Sequence, residues 1–166
     1  MKRMLTTVMV FTGLMGCMGQ VAGAQAKPSF AGTWTMNVEK SDLGQMPKPK
    51  SQVETITQTA DGITIAIAAD RDMGKMSYTF STKFDGTETP LPSGAIPADS
   101  PFKILSTKAE WQGNSLVITQ KTSVQDVTGT LKTTYMLSDD GKVLTSAMHI
   151  AFGDLEFDTK TVYDKS

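Results

Sequence analysis

The sequence predicts an all-β domain, an antiparallel up-and-down β-barrel of about eight to ten strands. Apolar and polar residues alternate with period two through most of the chain beyond residue 27. Turn-forming pairs such as Asp61-Gly62, Asp85-Gly86 and Gly113-Asn114 separate the alternating runs. Past the first 26 residues, no long apolar stripe recurs at helical spacing.

Residues 1–26 are set apart from that fold. Lys2 and Arg3 form a short positive segment, Met4 to Gly19 is apolar and uncharged, and Ala24-Gln25-Ala26 places small residues before a cleavage point. This is the layout of a secretory signal peptide. The apolar stretch is short for a membrane-spanning helix, which needs about 20 residues. Cleavage after Ala26 leaves residues 27–166 as a single domain, exported to the periplasm or secreted. An alternative rests on Leu14-Met15-Gly16-Cys17, which resembles a bacterial lipobox and would make the protein a lipoprotein anchored through Cys17. Met is unusual two positions before such a Cys, so the Ala-Gln-Ala site is preferred. Membrane attachment is expected only if Cys17 is lipidated. Cys17 is the sole cysteine, so the domain forms no internal disulfide and relies on its core. A chain of this length buries about 70% of its unfolded surface.

Loss of Lys2 and Arg3 takes the formal charge from −1 to −3. Lysines are scattered and Arg71 is the only arginine after the leader. Without a basic patch or stripe there is no case for nucleic acid. The domain is expected to be a monomer.

Strands are predicted in order at Trp34–Val38, Val53–Thr59, Ile63–Ala69 and Met76–Phe84. The last has the clearest sorting. Met76, Tyr78, Phe80 and Phe84 share one face with only Thr82 polar, while Ser77, Thr79, Ser81 and Lys83 share the other. A Pro/Gly/Ser-rich connection, Leu91 to Pro101, leads to strands at Ile104–Trp111, Leu116–Lys121, Leu131–Ser138, Val143–Ile150 and Leu155–Tyr163. Short helical turns are allowed near Glu39–Leu43 and Ala98–Phe102, no more. Hairpin connections favour a closed meander over a two-sheet sandwich, because closure removes exposed edges.

Phe30-Ala31-Gly32-Thr33-Trp34-Thr35-Met36 resembles the Gly-x-Trp opening strand of the calycin superfamily, the lipocalins and fatty-acid-binding proteins. Asp61-Gly62-Ile63-Thr64-Ile65, Trp111-Gln112-Gly113 and Thr161-Val162-Tyr163-Asp164-Lys165 look like later segments of that family. Trp34-x-x-Asn37 with Lys40-Ser41, Gly44 and Pro47 is similar to a group of small exported bacterial lipocalin-like proteins of unassigned function. The resemblance implies a lipocalin-like barrel in which Gly32 and Trp34 are structural. It implies that Trp34 plugs the closed end beneath a basic side chain, with Lys160 and Lys165 as candidates. Two departures matter. Val38 to Ser51, broken by Pro47 and Pro49, is too short for the helix–turn–helix lid of a fatty-acid-binding protein. Thr161 occupies the slot of that family's carboxylate-binding Arg, and a neutral hydroxyl cannot replace a guanidinium.

Candidate ligand-binding residues are Tyr78, Phe80, Tyr135, Phe157 and Tyr163. If they point inward they either line a small-molecule pocket or fill a narrow barrel. Interior candidates Thr133, Thr159 and Thr161 favour a pocket, because buried hydroxyls need partners. Nothing marks a catalytic residue. His149 is the only histidine, there is no Gly-x-Ser-x-Gly elbow, and His149 reads as a structural residue near a strand end. Asp70-Arg71-Asp72 and Asp139-Asp140-Gly141 read as turns, so no metal and no cofactor is expected. The expected function is an exported, non-enzymatic binding protein that carries or senses a small, mostly apolar, lipophilic ligand in the cell envelope. The alternative is an interaction or inhibitor module that uses the rim loops Val38–Ser51 and Leu91–Pro101. An enzyme built around His149 or Tyr163 is the third reading.

Overall fold

The computed structural model describes residues 26–72, 74–91, 96, 100–125 and 127–166; Cys17 and all of the expected leader but Ala26 lie outside them. Ten strands follow in chain order: β1 (Gly32–Met36), β2 (Ser51–Gln58), β3 (Gly62–Arg71), β4 (Gly74–Lys83), β5 (Thr89–Pro90), β6 (Phe102–Gln112), β7 (Ser115–Val124), β8 (Val127–Leu137), β9 (Val143–Phe152) and β10 (Leu155–Lys165). They form one sheet in the order β4-β3-β2-β1-β10-β9-β8-β7-β6-β5, every pair antiparallel. Neighbours in sequence are neighbours in the sheet except β4 and β5, which stand at its two edges, and β1 joins β10 to bring the first and last strands together. The sheet curls into a nearly closed up-and-down barrel rather than a sandwich. Its one open seam lies between β4 and β6, which pack together without a hydrogen-bonded ladder.

β5 is the strand the sequence does not announce. Two residues carry no readable alternation, and Thr89 and Pro90 pair with Thr107 and Ser106 at the edge of β6. A proline suits such an edge because it has no N–H to offer a further neighbour. The expected helical turn at Glu39–Leu43 is instead a hydrogen-bonded turn leading to a lone bridge between Asp42 and Lys160. Residues 98 and 99 of the expected turn at Ala98–Phe102 fall outside the described residues, and its last residue, Phe102, instead opens β6.

The closed end is built from the opening motif. Trp34 is fully buried, and its Nε1 donates to the Phe30 carbonyl at 2.8 Å. Lys165 Nζ lies 5.3 Å from the centre of the indole, so Lys165, not Lys160, is the covering cation. Gly32 makes this possible. Its φ of +144° is open chiefly to glycine, and a Cβ there would come within 3.2 Å of Lys165 Cε. Fully buried Phe30 stacks on Trp111 at 5.7 Å, and Lys27 Nζ caps that second indole at 5.6 Å. Lys27 and Phe30 are thus part of the plug.

The β1–β2 connection is tied down at the other end. Ser41 Oγ donates to the Asn37 carbonyl at 2.7 Å and accepts from the Val162 N–H at 3.0 Å. Asn37 Nδ2 donates to Asp164 at 2.7 Å. These bonds give the Asn37 and Ser41 positions a structural role. They also hold Leu43 and Met46 over the barrel interior.

Candidate functional site

Residues directly opposite each other in an antiparallel sheet project from the same face. One inward rung runs from Trp34 on β1 through Glu54 on β2 and Ile67 on β3 to Tyr78 on β4. Another carries Tyr135 on β8, Ser146 on β9 and Thr161 on β10. A carboxylic acid therefore stands inside the barrel. Glu54 is 3% exposed, a burial almost never seen for this residue type unless it is partnered.

Its partners are tyrosines. Tyr163 Oη donates to Glu54 Oε1, and Tyr135 Oη approaches Oε2 at 3.3 Å. Gln52 Nε2 donates to Tyr163 Oη at 2.7 Å, which fixes the direction of the chain from amide to hydroxyl to carboxyl. Two effects oppose each other at Glu54. Burial favours the neutral acid, whereas the bonds from Tyr163, Tyr135 and Gln52 favour the anion. Burial wins, and the pKa is raised above the ordinary carboxylate value. Burial also raises Tyr78, Tyr135 and Tyr163, with Glu54 adding to the shift in each case. All of these phenols remain protonated donors at ordinary pH.

The network borders a cavity of about 100 Å³ within the lumen. Aromatic and aliphatic walls come from Tyr78, Phe80, Ile67, Ile118 and Leu131, and Leu43 and Met46 reach it from the β1–β2 connection. Among the described residues, Glu54 and Arg71 are its charged lining residues. A volume of this order suits a compact molecule or several waters, and falls below the roughly 300 Å³ at which drug-sized pockets begin.

Of the residues singled out from the sequence, Tyr78, Phe80, Tyr135 and Tyr163 line the cavity, as do Thr133 and Thr161. Phe157 does not. It shares the inward parity of Tyr163 but lies three inward positions nearer the β9–β10 turn. There it is half-buried beside Gly44 at the rim. Thr159 is buried outside the cavity lining. Gln52, Glu54, Arg71 and Gln120 are lining residues that sequence reasoning missed. A signal existed for Arg71, which continues the inward parity of Ile63, Ile65, Ile67 and Ala69.

His149 faces outward on β9. Its Nδ1 meets Asp158 Oδ1 at 2.9 Å and its Nε2 meets Glu156 Oε1 at 2.9 Å. The hydrogen bond to Asp158 raises its pKa, with both carboxylates adding to the effect. Asp140 closes the β8–β9 turn by accepting from Ser138 Oγ and the Lys142 N–H. Among the described residues, no cluster of His, Cys, Asp or Glu could hold a metal ion.

No family model and no curated protein sequence matches the chain. Solved structures do. A secretary abundant heat soluble (SAHS) protein from Ramazzottius varieornatus is similar at a TM-score of 0.57 and 15% identity, over 82% of this chain and 95% of that one. Zebrafish ileal bile acid-binding protein, solved with cholic acid, is similar at 0.52 and 14%, over 82% and 98%. A fatty acid binding protein from Schistosoma mansoni, in complex with arachidonic acid, gives 0.49 and 17%, over 82% and 96%. At such identities the likeness is one of fold: this chain shares the β-barrel fold of those structures.

Proposed function

We propose that the protein is an exported, non-enzymatic binding protein whose lumen takes a small, mostly apolar molecule in the cell envelope. The observation that carries this reading is the unfilled lumen. Tyr78, Phe80, Tyr135 and Tyr163 line about 100 Å³ of unfilled space inside the barrel. The solved bile acid-binding structure shows a barrel of this fold holding a small lipophilic molecule, which supports the reading by analogy of fold. Affinity would come from desolvating the ligand against the aromatic wall, and orientation from the few polar groups facing inward. The leader's layout supports export, with cleavage after Ala26 and Cys17 removed. The intact mass of the mature protein distinguishes this from acylation at Cys17.

The modest volume favours a compact ligand over a long acyl chain. It also leaves a second reading, in which Val38–Ser51 and the segment Leu91–Pro101, most of which lies outside the described residues, form a protein contact surface. Native mass spectrometry of protein purified from its own host divides the two. A co-purifying small molecule, lost on unfolding, is expected. Unliganded protein that binds no compact apolar probe would remove the carrier and leave the rim.

A further inference from the structure

Two hydrogen-bond donors on the cavity wall lack acceptors. Gln120, inward on β7 and 6% exposed, has an Nε2 with no partner. Arg71, the last residue of β3, has a buried Nε in the same state. An unmatched buried donor loses its full hydration, so such groups are rare in folded proteins. Two of them on one small cavity are a stronger signal than either alone. The remaining polar lining groups near Glu54 are different, because Gln52, Tyr135 and Tyr163 already spend their donors on one another and on the acid.

The charges agree with this division. Arg71 carries a permanent positive charge, and it makes no ion pair among the described residues. The other charged lining residue, Glu54, is held toward its neutral form by burial and bonded by tyrosines. Among the described residues, Arg71 Nε and Gln120 Nε2 therefore meet neither an acceptor nor a negative charge in the cavity lining, and the buried Thr107 hydroxyl opposite Gln120 is unpartnered too. On the Tyr–Glu side the donors and acceptors answer one another.

We propose that Arg71 and Gln120 form a head-group subsite for an oxygen acceptor, a carboxylate or carbonyl, on a compact ligand whose apolar body lies against Phe80, Ile118 and Leu131. The proposal rests on the lumen-binding reading. The subsite lies on β3 and β7, away from the last strand, where Thr161 offers no guanidinium. A carboxylate would pair with Arg71 and accept from Gln120, whereas a neutral carbonyl would draw mainly on Gln120.

The test holds ligand shape constant and changes only the head group. Benzoate, benzamide and toluene are titrated against the mature protein, with lumen resonances followed by NMR. Benzoate and benzamide should bind at least about tenfold more tightly than toluene, the loss expected when a buried donor goes unmatched. Gln120→Glu keeps the side-chain shape but replaces a donor with an acceptor, and should abolish the preference for benzoate over toluene. Arg71→Leu should weaken benzoate more than benzamide. A thermal melt and the toluene titration show whether each variant is folded with its lumen intact. Equal binding of all three probes, with no response to either substitution, would overturn the subsite while leaving the lumen as a binding site. Failure of every probe to shift a lumen resonance at millimolar concentration would overturn the lumen reading and the subsite with it.

Discussion

Glu54→Gln is the sharpest probe of the interior, because it removes one ionisable group and preserves its shape. The Gln carbonyl can accept from Tyr163, and its amide can donate to the Tyr135 oxygen, so the hydrogen bonds have replacements. In the unfolded chain Glu54 titrates near about pH 4.3. In the fold its pKa is raised, with burial the dominant cause. Between those two values the native state holds a proton that the unfolded state has released. The stabilising contribution is full below about pH 4.3 and falls by about 1.4 kcal/mol for each pH unit above it, until the native pKa is passed. Glutamine has no proton to lose. The stability of Glu54→Gln minus that of the parent should therefore climb by about 1.4 kcal/mol per pH unit above about pH 4.5, then level off. Taking the difference cancels His149 and the surface carboxylates, which titrate alike in both proteins. Urea unfolding followed by the fluorescence of Trp34 and Trp111 across about pH 4.5–8 measures it, with unchanged m-values as the check on two-state behaviour. A difference that stays flat or shrinks as pH rises would refute the reasoning. It would mean that the tyrosines hold Glu54 as an anion and that hydrogen bonding outweighs burial.

Other substitutions test the frame. Trp34→Ala removes the fully buried indole and its bond to the Phe30 carbonyl, and should cost about 3–5 kcal/mol in chemical denaturation. Gly129→Ala should cost about 1–3 kcal/mol, because the added Cβ would meet the Phe152 ring at 2.3 Å and the Ala151 carbonyl at 2.5 Å. His149 has a raised folded pKa, so its contribution is full below its unfolded value near 6.5 and fades as pH rises through the folded one. The melting-temperature gap between the parent and His149→Gln should accordingly be wider at about pH 5.5 than at about pH 8.5.

The barrel was legible because its outer face is wet. On β4 the exposed set Ser77, Thr79, Ser81 and Lys83 alternates with Tyr78, Phe80 and Thr82, and burial follows that alternation residue by residue. The plug was legible through Gly32 and Trp34, whose roles depend on local backbone and one large ring. β2 was harder to read. The even-numbered residues Gln52, Glu54, Ile56 and Gln58 face the lumen, while Val53 and Thr55 face outward. Hydrophobicity alone assigns these faces the other way round, because a buried acid contradicts the pattern used to find burial. Gln120 stayed hidden for the same reason, whereas Arg71 could have been placed by the parity of its own strand. Polar residues at inward positions look like surface until the register of the neighbouring strands is known.

That illegibility bears on function. A lumen built only for stability would replace Glu54 with an aliphatic residue, since a buried ionisable group raises the cost of folding at neutral pH. The chain instead places an acid, two phenols and an amide in one bonded chain on one side, and leaves a guanidinium nitrogen and a second amide unmatched on the other. The bonded side can keep its geometry whether or not a guest is present, because its donors and acceptors answer each other. The unmatched side gains most when an acceptor arrives. A barrel with that asymmetry would recognise a guest by its head group and hold it by its apolar body, which is the division of labour proposed for this lumen.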